Sequence, residues 1–153
     1  MGLDLAGDSE GQDRESLQIP KNQTKVLESL VHLNKPIVVI LSGGTSVVMP
    51  WEDQVDSILY TGLYGQNGAS AIYDLVYGFQ SPSGKLSITF PLKEEDDIFF
   101  QKELKKEENV FYKDSIFVGY RYFSSINKPV RYAFGHGLSY AEFKYTGNDV
   151  QKL

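Results

Sequence analysis

The chain has 153 residues, of which 41% are hydrophobic and 23% are charged, enough for one domain with a real core. Its net charge of −5 argues against a nucleic-acid partner, because phosphate binding needs clustered lysine and arginine. It contains no cysteine, which excludes disulfides and thiolate metal sites. No apolar run approaches the roughly 20 residues of a membrane span, so no membrane partner is expected. No signal peptide is visible, which favours a cytoplasmic location.

The first part of the chain predicts a loop, a helix and a buried strand. Residues 1–19 show no hydrophobic periodicity and predict an exposed loop, the usual place for site residues. Pro20 opens a helix whose apolar residues recur at helical spacing, and Asn34 ends it. The β-branched run 37–41 predicts a strand buried on both faces of a parallel sheet.

The middle of the chain repeats this alternation. The apolar run 55–60 predicts a second short strand, and residues 69–76 predict a helix that stops at Gly78. Leu86, Ile88 and Phe90 alternate with polar residues and predict another strand. Helices alternating with strands in this way indicate an α/β layered domain with a mainly parallel sheet.

The C-terminal third is charged at first and then rich in aromatic residues. Residues 93–109 predict a solvent-exposed connection with one short helical stretch. Residues 116–123 predict a further strand, for which two interpretations stay open: a core strand with Arg121 in a buried ion pair, or a surface on which a sugar stacks. The residues alone favour the core strand.

One loop carries the best candidate for chemistry. Residues 7–14, G-D-S-E-G-Q-D-R, place several acids beside Arg14 between glycines. A carboxyl group close to other acids is protonated more readily, as a general acid must be. The alternative is an ordinary surface loop in which Asp13 caps a backbone group and Arg14 pairs with an acid. Spacing alone favours that alternative.

The remaining motifs indicate structural roles, and no metal or cofactor is predicted. Ser42-Gly43-Gly44 follows a strand but lacks the lysine and the spacing of a phosphate-binding loop, so it predicts a tight turn. His32 and His136 have no neighbouring cluster of metal ligands in the sequence.

Taken in order, seven blocks of the sequence resemble glycoside hydrolase family 3, which includes many β-glucosidases and β-xylosidases. The blocks are EGQDR (10–14), LQIP with NQ (17–20, 22–23), SGG with MPW (42–44, 49–51), GQNG with Ala71 (65–68), SPSGKL with TFP (81–86, 89–91), IFVGYRYF (116–123) and FGHGLSY (134–140). The resemblance implies that residues 1–145 are part of the family's C-terminal α/β domain, a three-layer α/β/α sandwich. Residues 146–153 would then be a tail leading toward a fibronectin type III-like domain.

The resemblance also implies a role for the acidic loop. Members of the family are retaining enzymes that cleave β-linked glycosides, with a nucleophilic aspartate from a barrel domain and an acid/base glutamate lent by the sandwich. Glu10 matches the acid/base, and Asp8, where many relatives carry a second glutamate, is the alternate. A barrel takes about 250 residues, so the nucleophile is expected outside this chain, on a barrel supplied in cis or in trans. The chain alone is expected to be incomplete and inactive.

Two departures from the family pattern bear on these expectations. Asp8 is shorter than the usual glutamate, and Ser115 stands where a glycine is usual, at a position that can need a positive φ. A non-catalytic remnant, or a carbohydrate-binding or structural fragment, is therefore the alternative function. Exposed strand edges would also favour a homo-oligomer. Residues that bind substrate, and the sugar itself, are not indicated by the sequence.

Overall fold

The computed structural model describes residues 1–3, 14, 16–98, 115–144 and 146–147. Its helices and strands in chain order are α1 (Lys21–Val31), β1 (Val38–Ser42), β2 (Ser57–Gly62), α2 (Gly68–Val76), β3 (Phe90–Pro91), α3 (Tyr120–Ser125) and β4 (Val130–Tyr132). Two short 3-10 turns lie at Glu52–Gln54 and Glu94–Asp96. Helices and a parallel strand pair confirm the predicted α/β class. In the part of the chain described, no helix is long and apolar enough to span a membrane.

The parallel sheet contains a strand-like segment that the sequence did not predict. β1 pairs with β2 in parallel, from Val38–Ser57 to Ser42–Gly62. Met1–Leu3 also runs parallel to β1: the Met1 nitrogen donates to the Ile40 carbonyl at 2.8 Å, and the Ser42 N–H donates to the Met1 carbonyl at 3.0 Å. The prediction of an exposed loop over residues 1–19 is therefore wrong at its start, because backbone pairing needs no hydrophobic periodicity.

The hydrophobic core consists of side chains from the sheet and from the segments that flank it. Leu17 and Ile19, which were predicted to lie in the exposed loop, are only 1% and 4% exposed. The other buried apolar side chains are Leu27, Val39, Leu41, Val47, Val48, Met49, Trp51, Phe90 and Phe123. In β1 the buried residues Val39 and Leu41 alternate with less buried ones, of which Val38 is 53% exposed. The prediction that this strand is buried on both faces is thus wrong for the chain by itself, because its second face lies open at Val38.

The two long helices match their predicted positions. α1 follows Pro20, whose φ of −51° suits entry into a helix, and the chain leaves the helical path at Asn34, which has a φ of 50°. α2 ends before Gly78, which has a φ of 76° and is the predicted stop. Only Leu27 of the α1 stripe is buried, so most of this apolar face is open to solvent.

The predicted C-terminal strands are the main error. β3 and β4 form a separate antiparallel pair, and of the alternating run only Phe90 lies in it. The strand predicted over 116–123 is wrong, because residues 120–125 form α3. Gly119, within the predicted strand, has a φ of 59°, and Ser115, just before it, has a φ of 50°, so the chain turns before and within the predicted extended run.

The side chains of this segment do not form the predicted core strand either. Ile116, Phe117 and Val118 are 72%, 46% and 49% exposed, whereas Phe123 is buried. Arg121 is exposed and lies 5.5 Å from the centre of the Tyr120 ring, so the predicted buried ion pair is wrong. Ser115 does occupy the left-handed backbone region in which a glycine is usual, as its position in the family pattern suggested.

Candidate active site

The structure describes the chain up to Leu3, before the acidic loop, and Arg14 at the end of that loop. Glu10, the predicted acid/base, and Asp8, its alternate, lie outside the described residues, and so does Asp13. Before them, the Leu3 N–H donates to the Ser42 carbonyl at 3.3 Å, at the carboxyl end of β1. Sites in α/β sheets lie outside the carboxyl ends of the parallel strands. Leu3 therefore leads the chain to the edge of the sheet where such sites occur.

The strand that enters the loop is held by a side chain of α1. The side-chain oxygen of Gln23 accepts a hydrogen bond from the Gly2 N–H at 2.8 Å, and its side-chain nitrogen donates to the Gly2 carbonyl at 2.7 Å. A primary amide can offer a donor and an acceptor in the same way as a peptide group. Gln23 therefore pairs with Gly2 as a neighbouring strand would.

The residues that follow the loop are held by two other parts of the chain. The Arg14 guanidinium donates to the carbonyl of Ser46, a residue only 2% exposed, at 3.1 Å. One carboxylate oxygen of Glu94 accepts hydrogen bonds from the Leu17 N–H, at 2.7 Å, and from the Ser16 hydroxyl. The 3-10 turn at Glu94–Asp96 thus fixes the chain just beyond the loop, as Gln23 fixes it just before.

The turn that follows β1 lies at the same edge and is held by β2. The Ser42 hydroxyl donates to the Gly62 carbonyl at 3.0 Å, and the Tyr60 hydroxyl donates to the Gly43 carbonyl at 2.7 Å. These contacts join the ends of the two strands, which agrees with the structural role predicted for Ser42–Gly44.

A second polar cluster joins the first 3-10 turn to β4. Glu52 accepts hydrogen bonds from the Arg131 guanidinium at 2.8 Å and from the Tyr132 hydroxyl at 2.5 Å. The Tyr132 hydrogen bond, together with the positive charge of Arg131, lowers the pKa of Glu52. Burial and the neighbouring Glu52 carboxylate raise the pKa of Tyr132 to about 12. Both groups therefore keep one protonation state near neutral pH, which suits a structural link and not a proton relay.

The two histidines lie in different parts of the structure. The ring of His136 stacks on that of Tyr132, with 4.8 Å between ring centres, and its backbone carbonyl accepts from the Leu86 N–H at 2.8 Å. His32 is exposed at the end of α1. Among the residues that the structure describes, no group of three or more histidine, aspartate and glutamate side chains could hold a metal ion.

Sequence reasoning missed the side chains that hold the loop. The sequence marks Gln23 only through the Asn22-Gln23 block of the family pattern, and this block does not indicate which backbone groups the side chain binds. Glu94 lies in a charged run that predicted a solvated connection, and nothing in that run distinguished one acid from the next.

The fold defines a class of protein: an α/β domain in which Leu3 and the turn at residues 42–44 lie at the carboxyl edge of the parallel strands. The family model described as the glycosyl hydrolase family 3 C-terminal domain matches residues 1–140. The chain belongs to this family, which confirms the resemblance seen in the seven blocks.

Two glycosidases of known name are similar to this chain over nearly its whole length. The chain is 42% identical over 153 residues to an exo-α-(1→6)-L-arabinopyranosidase of Bifidobacterium longum, covering 99% of this chain and 20% of that protein. It is 40% identical over 151 residues to the thermostable β-glucosidase B of Acetivibrio thermocellus, with the same coverage of both. The chain thus spans about a fifth of the length of these relatives.

Solved structures of the family share the fold. A β-glucosidase from Kluyveromyces marxianus in complex with glucose matches 95% of this chain and 18% of its own, with a TM-score of 0.85 and 33% identity. A family 3 β-glucosidase from Bifidobacterium adolescentis matches 92% of this chain and 21% of its own, with a TM-score of 0.84 and 44% identity. The likeness confirms the predicted α/β sandwich.

Proposed function

We propose that this chain is the domain of a retaining β-glycosidase that supplies the general acid/base, and that Glu10 is this residue, with Asp8 as the alternate. The observation that carries the proposal is the anchoring of the loop's two ends. Gln23 and β1 hold the chain before residue 4, and Ser46 and Glu94 hold it at and beyond Arg14. A short loop anchored at both ends is suited to presenting a carboxyl group in a defined place.

Retaining hydrolysis needs two carboxyl groups roughly 5–5.5 Å apart. In the first step a nucleophilic carboxylate attacks the anomeric carbon while Glu10 donates its proton to the departing glycosidic oxygen. In the second step Glu10 takes a proton from water, whose oxygen attacks the same carbon and releases the nucleophile. We assign the nucleophile to an aspartate on a barrel domain that acts with this chain in cis or in trans.

The substrate class is a β-linked glycoside or oligosaccharide, and we propose that the sugar is selected outside this domain. Two relatives with almost the same identity to this chain, 42% and 40%, carry names that refer to different sugars. A domain that matches both so evenly is better suited to supplying a common proton donor than to distinguishing arabinose from glucose.

A domain exchange tests the proposal. The chain would replace the matching segment of the Bifidobacterium adolescentis β-glucosidase, to which it is 44% identical. We expect the chimaera to hydrolyse aryl β-glucosides. Glu10→Gln should lower kcat/KM on a methoxyphenyl glucoside by about 10²–10⁴-fold, because that leaving group needs protonation. It should have a much smaller effect on the first step with a dinitrophenyl glucoside, whose leaving group departs without help.

Asp8→Asn serves as the matched variant in the same loop. If Asp8→Asn shows the dependence on leaving group and Glu10→Gln does not, the alternate is the acid/base. Added azide should accelerate the correct variant by replacing water in the second step, since azide needs no general base. An active chimaera in which neither variant responds to the leaving group would refute the proposal and favour a non-catalytic domain.

A further inference from the structure

Gly2 lies between β1 and the side chain of Gln23. Toward β1, the residues on either side of Gly2 bond to Ser42: the Ser42 N–H donates to Met1, and Leu3 donates to the Ser42 carbonyl. A Cβ atom at Gly2 would lie 2.6 Å from the Ser42 carbonyl oxygen, so the two backbones approach closely here. Gly2 therefore has little room to move toward β1.

On its other side, both backbone groups of Gly2 bond to the Gln23 amide, at 2.8 and 2.7 Å. A two-point contact fixes orientation as well as distance, because a rotation of the Gly2 peptide groups would lengthen at least one bond. The Gln23 backbone is itself fixed in the first turn of α1, where its N–H donates to the Pro20 carbonyl at 2.9 Å. Four residues further along α1, Leu27 packs in the core at 4% exposure.

This arrangement links the core to the acidic loop by a short path. Leu3 follows Gly2 directly, and Asp8 and Glu10 stand five and seven residues after Leu3 in the sequence. A shift of Gly2 would therefore be passed to the base of that loop. Displacing a catalytic group by about 1 Å can cost about 10²-fold in rate.

We propose that Gln23 is a positioning residue for the acid/base, acting through its two hydrogen bonds to Gly2. The proposal rests on the proposed function, since it needs an acid/base in the loop. Gln23 touches neither substrate nor reacting atoms in this mechanism. Its effect should appear only in the steps that use the proton donor.

The test uses the full chain in the same chimaera with the Bifidobacterium adolescentis β-glucosidase. Gln23→Ala removes both bonds, and we expect kcat/KM on the methoxyphenyl glucoside to fall about 10–100-fold. With the dinitrophenyl glucoside the fall should stay within about threefold, because departure of that group needs little proton transfer. Gln23→Glu keeps an acceptor for the Gly2 N–H but replaces the donor to the Gly2 carbonyl with a carboxylate oxygen that repels it, and should show the same pattern.

Two control variants leave the contact between Gln23 and Gly2 in place. Lys25→Ala removes an exposed side chain of α1 and should leave both substrates unaffected. Gly137→Ala should destabilise the fold away from α1, because the added Cβ would lie 2.4 Å from the Gly84 carbonyl oxygen, and any loss of activity should be equal for the two substrates. The ratio of the two kcat/KM values thus separates positioning from general destabilisation.

The outcomes distinguish this inference from the function on which it rests. Equal losses on both substrates for Gln23→Ala and Gln23→Glu, or no loss at all, would overturn the positioning role. If Glu10→Gln still responds to the leaving group in that case, the proposed function stands and only the role of Gln23 fails. If neither Glu10→Gln nor Asp8→Asn responds, the proposed function fails first. Should Gln23→Ala not fold, Gln23→Glu alone decides, because it preserves the shape of the side chain.

Discussion

Tyr132→Phe tests how much the Glu52 cluster stabilises the domain. The substitution removes one hydroxyl that donates to Glu52 at 2.5 Å and keeps the ring that packs edge-on against Phe90 and stacks on His136. A hydrogen bond to a charged group contributes about 1.5–3 kcal/mol. The Glu52 side chain is 24% exposed, so water can replace part of this bond and we expect a loss of about 1.5 kcal/mol. In a domain of this size that corresponds to a fall in Tm of about 3–6 °C.

Urea unfolding followed by tryptophan fluorescence measures this loss. The chain has one tryptophan, Trp51, which is 5% exposed and adjoins Glu52, so its emission reports the unfolding of this region. The midpoint should fall while the dependence on urea stays constant, because the substitution does not alter the surface exposed on unfolding. Tyr140→Phe is the matched control: Tyr140 is 81% exposed, and its substitution should change the free energy of unfolding by less than about 0.5 kcal/mol.

The pH dependence gives a second check on the same contact. The pKa of Glu52 is lowered on folding, so its contribution is present above the ordinary value of 4.5 and is lost as the pH falls through the folded value. The difference between Tyr132→Phe and the unchanged chain should therefore shrink in acid. A difference below about 0.3 kcal/mol at neutral pH, or one that is the same at neutral pH and in strong acid, would refute the reasoning.

At high pH the free energy of unfolding should fall, because Tyr132 ionises less readily in the folded state. Its pKa rises from 10.0 to about 12 on folding, so the neutral phenol stabilises the folded state below pH 10 and this contribution is lost between pH 10 and 12. The full shift corresponds to about 2.7 kcal/mol, and solvent screening reduces it to about half of that. Tyr132→Phe cannot ionise at this position and should lack this part of the alkaline loss of stability. An equal alkaline loss in both proteins would contradict the assignment.

Two further predictions concern packing and use the same urea assay. Gly137→Ala should cost about 1–3 kcal/mol, because the added Cβ would lie 2.4 Å from the Gly84 carbonyl oxygen. Gly65→Ala, where the Cβ would meet nothing within 4 Å, should change stability by less than about 0.5 kcal/mol, and equal effects would contradict the proposed close approach. Phe90→Ala should cost about 3–5 kcal/mol, since Phe90 is 1% exposed in the core. Phe143→Ala, at 75% exposure, should cost little, and a similar cost for the two would place Phe90 outside the stabilising core.

The elements that the sequence predicted well are those with local signals. α1 and α2 combine helical spacing of apolar residues with a stop residue, and both stops, Asn34 and Gly78, have positive φ. β1 is a β-branched run, and the structure places it one residue later than predicted. Whether the second face of β1 is covered cannot be predicted from this chain. Val38 is an apolar, β-branched residue that fits a buried strand, and the sequence does not show whether another layer packs on it.

The errors fall where a local signal pointed the wrong way or did not exist. The aromatic residues before and within α3 have high strand propensity, but left-handed turns at Ser115 and Gly119 break the extended run. Met1–Leu3 joins the sheet through three backbone hydrogen bonds, and three residues are too few to show a period.

The sequence predicts which residues of the candidate site carry the chemistry, but it does not predict the side chains that hold the neighbouring backbone in place. The family resemblance pointed to Glu10 and Asp8, whose placement stays a prediction. The contacts that hold the loop join residues far apart in sequence: Gln23 is 21 positions from Gly2, and Glu94 is 77 positions from Leu17. Such pairs follow from the folded arrangement of α1 and the second 3-10 turn, and no spacing rule within one element reveals them.

Gln23 also satisfies the backbone hydrogen-bonding groups at the edge of the sheet at Gly2. An unpaired strand edge offers N–H and carbonyl groups to any passing chain. At Gly2 both groups are taken by one side chain, so no further strand is needed there to satisfy them. The same two hydrogen bonds thus satisfy the strand edge at Gly2 and carry the proposed positioning role, so Gln23→Ala should impair both, whereas Lys25→Ala should impair neither.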